Sequence, residues 1–157
     1  MKDQSQPQSK PKRLIKKSYL KCIRNSVGSK MFRNFYLELD DNVFDATKNG
    51  ELSCAFYVSG LLVIFQLIKT IHGTVDGTIK DLEESGWVKT NQPTPGSVII
   101  WEATLNGEDC NEHIGFYVGR DKAISNSSTK KKIIMHNWTY DNIRKVKAIY
   151  SNPILTK

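Results

Sequence analysis

The sequence of 157 residues has little cysteine, and its three cysteines do not occur in pairs. Cys22, Cys54 and Cys110 lack the short, repeated spacing that zinc sites and disulfide frameworks use. Such a sparse, odd set is typical of a reducing compartment, so each cysteine is considered as a single thiol. The chain is long enough to form one domain with its own hydrophobic core.

The sequence also lacks an apolar segment long enough to cross a membrane. Its longest apolar run, 54–68, is interrupted by Ser59, Gly60 and Gln66, and it is shorter than the roughly 20 residues that a membrane helix needs. The first 12 residues are polar, and the apolar stretch of a secretory signal does not follow them. We therefore expect a cytoplasmic protein without a transmembrane segment, unless it is released by another route.

Acidic residues are nearly absent from one end of the chain. Residues 1–34 contain ten Lys or Arg and a single acid, Asp3, whereas residues 35–157 contain 13 basic and 15 acidic residues. The net charge of +7 therefore belongs to an N-terminal arm. Many such arms only increase solubility, but others bind nucleic acid or anionic lipid, so a weak anionic partner is one interpretation of this arm.

The hydrophobic pattern is helical in the first half of the chain and strand-like in the second. We predict a disordered tail over 1–13, a basic helical region within 14–34, and a single domain over 14–157. The helix at 14–27 has one narrow apolar stripe, which favours packing on the domain over lying on a membrane surface. That stripe consists of Ile15, Tyr19, Ile23 and Val27.

The remaining segments predict an α+β domain. A central buried helix is expected over 54–71 and another helix over 78–85, while 32–39 is extended or helical and 40–50 is a polar loop. Strands are expected at 97–102, 113–118, 123–126, 133–138 and 146–150. Helices followed by a run of strands indicate N-terminal helices packed on an antiparallel β-meander of four to six strands.

Cys54 has the position of a nucleophile. It follows Ser53, a good N-cap, at the start of the predicted central helix. The unpaired N–H groups and positive dipole of a helix N-terminus favour the thiolate and lower the pKa of the thiol. A nearby imidazole would complete the activation by accepting the proton. The alternative is that Cys54 is a small buried apolar residue, as most free cysteines are.

Three histidines are candidates for that base. His113 follows a polar loop and begins a predicted strand. His72 would lie about 27 Å from Cys54 if the central helix were continuous, so a role at the helix C-terminus suits it better. His136 lies in a later strand and either lines the same cleft or faces solvent.

A third polar group is needed to orient the histidine, and the segment 124–128 offers candidates. Ser125 and Asn126 point to opposite faces of a strand, so at most one of them faces His113 directly. Ordinary turn chemistry is the alternative explanation for these polar residues. Ser125, Asn126 and His136 all remain candidates at this point.

The motifs resemble those of the NlpC-type cysteine peptidases and the related CHAP amidases. The resemblance covers about 51–128 and rests on the cysteine at a helix start, the segment Pro-Gly-Ser-Val-Ile-Ile-Trp at 95–101, and Glu-His-Ile-Gly-Phe-Tyr-Val-Gly at 112–119. It implies a papain-like α+β core that hydrolyses peptide or amide bonds, typically in bacterial cell-wall peptides. We expect no cofactor and no metal. Ser53, Ala55 and Phe56 stand where the family has Asp, Ser and Gly, so this chain resembles a divergent branch.

The resemblance implies Cys54 as nucleophile and His113 as base. It places the third polar residue at the strand containing Ser125, where the family often has histidine. We select Asn126 because a carboxamide orients imidazole better than a hydroxyl does; this choice requires an irregular strand, and Ser125 and His136 are the alternatives. The expected oxyanion donors are the backbone N–H of Cys54 and one side chain from elsewhere in the chain.

A degenerate member of the family that keeps the fold but has lost activity is one alternative, although the presence of both Cys54 and His113 argues against it. Two other functions also compete with the hydrolase. The first is a non-catalytic protein on the same scaffold that binds nucleic acid or an anionic surface through its basic arm. The second is a metal site formed by Cys110 and His113, which have Cys-x-x-His spacing. A second ligand pair of similar spacing is lacking in the sequence, which disfavours structural zinc.

Overall fold

Three α-helices lie within the described part of the chain, which is residues 9–104 and 111–156 of this computed structural model. They are α1 (Ile15–Asn25), α2 (Cys54–Ile64) and α3 (Val75–Glu84). α1 buries Tyr19 and Ile23, which are four residues apart, as the apolar stripe predicts. Val27 lies beyond the helix and is exposed.

α2 is the buried helix, but it is shorter than predicted. It ends at Ile64 rather than near residue 71, and Gln66 has a φ of +57°, which is incompatible with continuing the helix. The chain then reverses, and the backbone N–H of His72 donates to the hydroxyl of Ser59 at 2.9 Å. The predicted separation of Cys54 and His72 by a continuous helix is therefore wrong, and so is a role for His72 at the helix C-terminus.

A two-stranded hairpin precedes α2. Its strands are β1 (Tyr36–Leu39) and β2 (Asn42–Asp45), so the predicted polar loop at 40–50 contains a strand. The carboxylate of Asp45 accepts hydrogen bonds from the backbone N–H groups of Phe35, Thr47 and Asn49. These bonds connect the hairpin to the loop that leads into α2.

The main sheet has six strands, which pair only in antiparallel fashion within the described residues. They are β3 (Val88–Lys89), β4 (Val98–Trp101), β5 (His113–Gly119), β6 (Lys122–Ser127), β7 (Lys132–Asn137) and β8 (Val146–Ser151). The spatial order is β3-β8-β4-β5-β6-β7. The predicted α+β class and antiparallel sheet are confirmed, and β4 to β7 form the expected meander. β8 departs from it by returning to pair with β4.

The two faces of the sheet have different surroundings. Ile114, Phe116 and Ile124 belong to the large core that includes α2, which packs against β5 and β6. Trp101 and Ala123 belong to a smaller cluster on the opposite face. Because side chains alternate along a strand, His113 and Ser125 share the face of Trp101. Within the described residues, the helices are all too short or too polar to span a bilayer.

Candidate active site

A cleft of about 620 Å³ lies where the first turns of α2 and α3 meet the beginning of β5. α2 contributes Cys54 and Ala55 to its lining, and α3 contributes Val75 and Asp76. His113 lines the same cleft from β5. Two residues that are distant in the sequence, the predicted nucleophile and the predicted base, therefore share one cavity.

Cys54 is the first residue of α2, as the sequence predicts. Ser53 occupies the N-cap position without capping the helix through its side chain, and its hydroxyl instead donates to the Arg33 carbonyl at 3.5 Å. The Ser53 side chain therefore does not compete for the N–H groups of the first turn. Those groups and the helix dipole favour negative charge at this end of the cleft.

His113 is nearly buried at the beginning of β5, with 6% of its surface exposed. It pairs with Trp101 of β4, and the centres of the two rings are 5.5 Å apart. Burial is the main cause that holds the pKa of His113 well below its ordinary value, and the positive charge of Arg144 acts in the same direction, as would a proton on His136. The neutral imidazole is therefore the favoured form in this structure, and a neutral imidazole can accept a proton.

Ser125 is the centre of a hydrogen-bonded group that we call the Ser125 cluster, comprising His113, Ser125, His136 and Tyr140. The Ser125 hydroxyl lies 2.9 Å from Nε2 of His113, 2.8 Å from Nε2 of His136 and 3.1 Å from the Tyr140 hydroxyl. Ser125 is fully buried, so its hydroxyl is shielded from solvent, while His136 and Tyr140 are partly exposed. This is the polar group that contacts the predicted base.

Asn126 does not occupy that position, which corrects our first choice for the third residue. Its amide nitrogen donates to the carbonyl of Gly50 at 2.8 Å. β5 and β6 pair regularly at Gly115 and Ser125, so the strand irregularity that Asn126 required is not found there. Asn126 instead supports the loop that leads into Cys54.

His136 lies behind Ser125 as seen from His113. Its Nδ1 is 2.7 Å from the carbonyl oxygen of Asn137, and its ring stacks on Tyr140 with ring centres 4.0 Å apart. Burial, with the charges of Arg144 and Lys122, lowers the pKa of His136 despite its bond to Asn137. His136 thus contacts the predicted base through Ser125, and is not the residue that the structure places against His113.

His72 belongs to a separate group next to the cleft, and it does not line the cleft itself. Its Nε2 donates to a carboxylate oxygen of Asp81 at 2.8 Å. The same carboxylate accepts the backbone N–H groups of Lys69 and Thr70, each at 3.0 Å. This group therefore anchors the chain reversal after α2, just before the cleft residue Gly73.

Arg144 and Tyr140 were not predicted as site residues. Arg144 is only 7% exposed and donates to the carbonyls of Glu102 at 2.9 Å and Asn111 at 2.7 Å, which flank the loop between β4 and β5. Its guanidinium carbon lies 6.0 Å from the centre of the Tyr140 ring. Both residues reach the site through the connection from β7 to β8, and their local sequence resembles an ordinary polar turn.

A metal-binding group of three or more His, Cys, Asp or Glu side chains is not found among residues 9–104 and 111–156. Cys110, the partner of His113 in the alternative metal pair, lies outside the described residues. Comparison with models of known protein families gives no match to this chain, and comparison with curated proteins gives none either.

Proposed function

We propose that this protein is a cysteine hydrolase that cleaves a peptide or amide bond, with Cys54 as nucleophile and His113 as general base. The observation that carries the proposal is that both side chains line one cleft while Ser125 holds the His113 ring from behind. A nucleophile at a helix N-terminus, a base and a group that orients the base are the parts that such chemistry requires. The α+β fold is compatible with the papain-like core of the NlpC-type enzymes.

The reaction follows from these positions. His113 accepts the thiol proton, and the Cys54 sulfur attacks the carbonyl carbon of the substrate. The backbone N–H of Cys54 stabilises the resulting oxyanion. His113 then donates its proton to the leaving amine, which leaves a thioester on Cys54. Water, deprotonated by His113, hydrolyses this thioester to release the acid and restore the thiol.

A short peptide is the substrate class that we propose, with cell-wall peptides as the first candidates because of the resemblance to NlpC-type enzymes. The cleft volume of about 620 Å³ lies within the range that is typical of small-ligand sites. Its lining includes both acidic and basic side chains, among them Glu51, Asp76, Glu112, Arg144 and Lys147. A polar lining of this kind suits the backbone and charged groups of a peptide better than it suits an apolar molecule.

Alkylation of the intact protein with iodoacetamide tests the nucleophile without knowledge of the substrate. Mass spectrometry of samples labelled at a series of pH values should show that Cys54 reacts fastest and retains its reactivity to the lowest pH. Cys22 is an internal control, because burial raises the pKa of its thiol. The substitution His113→Ala should slow labelling of Cys54 and leave Cys22 unchanged. Labelling of Cys54 that is equal to or slower than that of Cys22 and Cys110 would refute the assignment.

Activity is then measured on peptidoglycan fragments, peptides and simple amides. Cys54→Ala should abolish hydrolysis while the circular dichroism spectrum stays unchanged. His113→Ala should lower kcat by about 100-fold or more, because general base catalysis contributes roughly 10²–10⁴-fold. Hydrolysis that persists in Cys54→Ala would contradict the proposal.

A further inference from the structure

We infer that His136 is a positioning residue that determines, through Ser125, which ring nitrogen of His113 carries the proton, and that Tyr140 supports it by limiting the rotation of His136 and Ser125. The inference deepens the proposed function, on which its consequence for catalysis rests. It depends on the direction of each hydrogen bond in the Ser125 cluster, and these directions follow from counting protons.

The direction of the first bond is set by a backbone carbonyl. Nδ1 of His136 lies 2.7 Å from the carbonyl oxygen of Asn137, and a carbonyl can only accept. Nδ1 of His136 must therefore carry a proton. A neutral imidazole has only one such proton, so Nε2 of His136 is an acceptor. The partial burial of His136 and the positive charges of Arg144 and Lys122 disfavour a second proton on the ring.

The Ser125 hydroxyl connects this bond to the others. It lies 2.8 Å from Nε2 of His136 and must donate its single proton there. Towards His113 and Tyr140 it can then only accept, and its two lone pairs match these two partners. Because Ser125 is fully buried, bulk water does not reach its hydroxyl to replace these partners.

The last bond determines the state of His113. Nε2 of His113 lies 2.9 Å from an oxygen that accepts, so it must carry the proton. The other nitrogen, Nδ1, is then unprotonated in the neutral ring and is the one that can accept the Cys54 proton. Tyr140 assists by donating its hydroxyl to Ser125 and by stacking on His136, which limits rotation of both groups.

Substitution of His136 separates this role from simple packing. His136→Leu removes the acceptor, so the Ser125 proton is free to turn towards Nε2 of His113 and to stabilise the opposite tautomer. His136→Gln is the matched control, because the carboxamide oxygen of a glutamine side chain can take the place of Nε2 and still accept the hydrogen bond from the Ser125 hydroxyl. Tyr140→Phe retains the stacking ring but removes one donated hydrogen bond.

The tautomers are measured by ¹⁵N NMR of the side chains in Cys54→Ala protein, in which no thiolate can hold a proton on His113. The chain has only three histidines, so their signals can be assigned by single substitutions. We expect the proton on Nε2 of His113 and on Nδ1 of His136. His136→Leu should shift His113 towards the Nδ1-protonated form, whereas His136→Gln and Tyr140→Phe should retain the original tautomer. A proton on Nδ1 of His113 in Cys54→Ala protein would overturn the inference even if His136→Leu does not fold.

Kinetics test the consequence for catalysis with Cys54 restored. His136→Leu should lower kcat by about 10- to 100-fold, by analogy with the loss found when the hydrogen-bond partner of a metal-binding histidine is removed, and should leave KM nearly unchanged. His136→Gln should recover most of this loss. An unchanged kcat in folded His136→Leu protein would refute the inference. Because the NMR measurement needs no activity, it decides the tautomer even if Cys54 proves not to be a nucleophile.

Discussion

Asp81 is expected to contribute a pH-dependent part of the stability, and Asp81→Asn is the substitution that tests it. The carboxylate is almost fully buried and accepts hydrogen bonds from the backbone of Lys69 and Thr70 and from the side chains of His72 and Ser85. These bonds hold the chain reversal that leads from α2 to the cleft. A neutral amide cannot replace the carboxylate, because its NH₂ group would face one of these donors.

The magnitude follows from the pKa of this carboxyl group. Burial alone would raise the pKa of Asp81, but the bonds from His72, from the two backbone N–H groups and from Ser85 together lower it from 3.8 to about 2. Each pKa unit corresponds to about 1.4 kcal/mol, so the ionised carboxylate stabilises the folded protein by about 2 kcal/mol. Since the folded pKa lies below the unfolded one, this contribution is complete above about pH 5 and falls as the pH decreases towards 2. About half of it should remain at pH 3.

Urea unfolding followed by circular dichroism measures this contribution. The free energy of unfolding of wild-type protein should exceed that of Asp81→Asn by about 2 kcal/mol at pH 6, and the difference should shrink between about pH 4 and pH 3. Glu84→Gln is the matched control, because Glu84 lies on the same helix but forms an exposed ion pair with Lys69. It should change stability little. A difference between wild type and Asp81→Asn that does not vary with pH would refute the reasoning.

Two further predictions concern the packing beside Ser125 and the basic arm. Gly115→Ala would place a Cβ 2.7 Å from Cβ of Ser125 and 2.8 Å from the Ile124 carbonyl oxygen. Because this contact is too close, we expect the substitution to lower the free energy of unfolding by about 1–3 kcal/mol. We also expect it to slow alkylation of Cys54. Gly73→Ala is the control, because its new Cβ meets only the Phe35 ring, at 3.6 Å. Urea unfolding should show a much smaller loss of stability for Gly73→Ala than for Gly115→Ala. Equal losses of stability in the two variants would contradict this argument. If the arm binds polyanions, the affinity of the intact protein for a single-stranded oligonucleotide should fall steeply between about 50 and 200 mM salt and be the same in Cys54→Ala. Fluorescence anisotropy measures this, and binding that is insensitive to salt would exclude an electrostatic role.

The sequence predicted the features that depend on local patterns. Apolar periodicity located α1, the polar-to-apolar boundary at Ser53 located the start of α2 at Cys54, and strand composition located β5 at His113. Strand alternation also predicted correctly that Ser125 and Asn126 cannot both face His113. Each of these depends on residues that are near one another in the chain, so the sequence carries the signal directly.

Other features depend on contacts between distant segments, and only the tertiary structure decided them. The regular register of β5 and β6 places Ser125, rather than Asn126, against His113. The return of β8 to β4 brings the preceding turn, with Tyr140 and Arg144, to the site. The reversal after α2 places His72 on Asp81 instead of at a helix end. Local periodicity cannot encode these arrangements, because each is stabilised by hydrogen bonds and packing that form only when the sheet and helices have assembled.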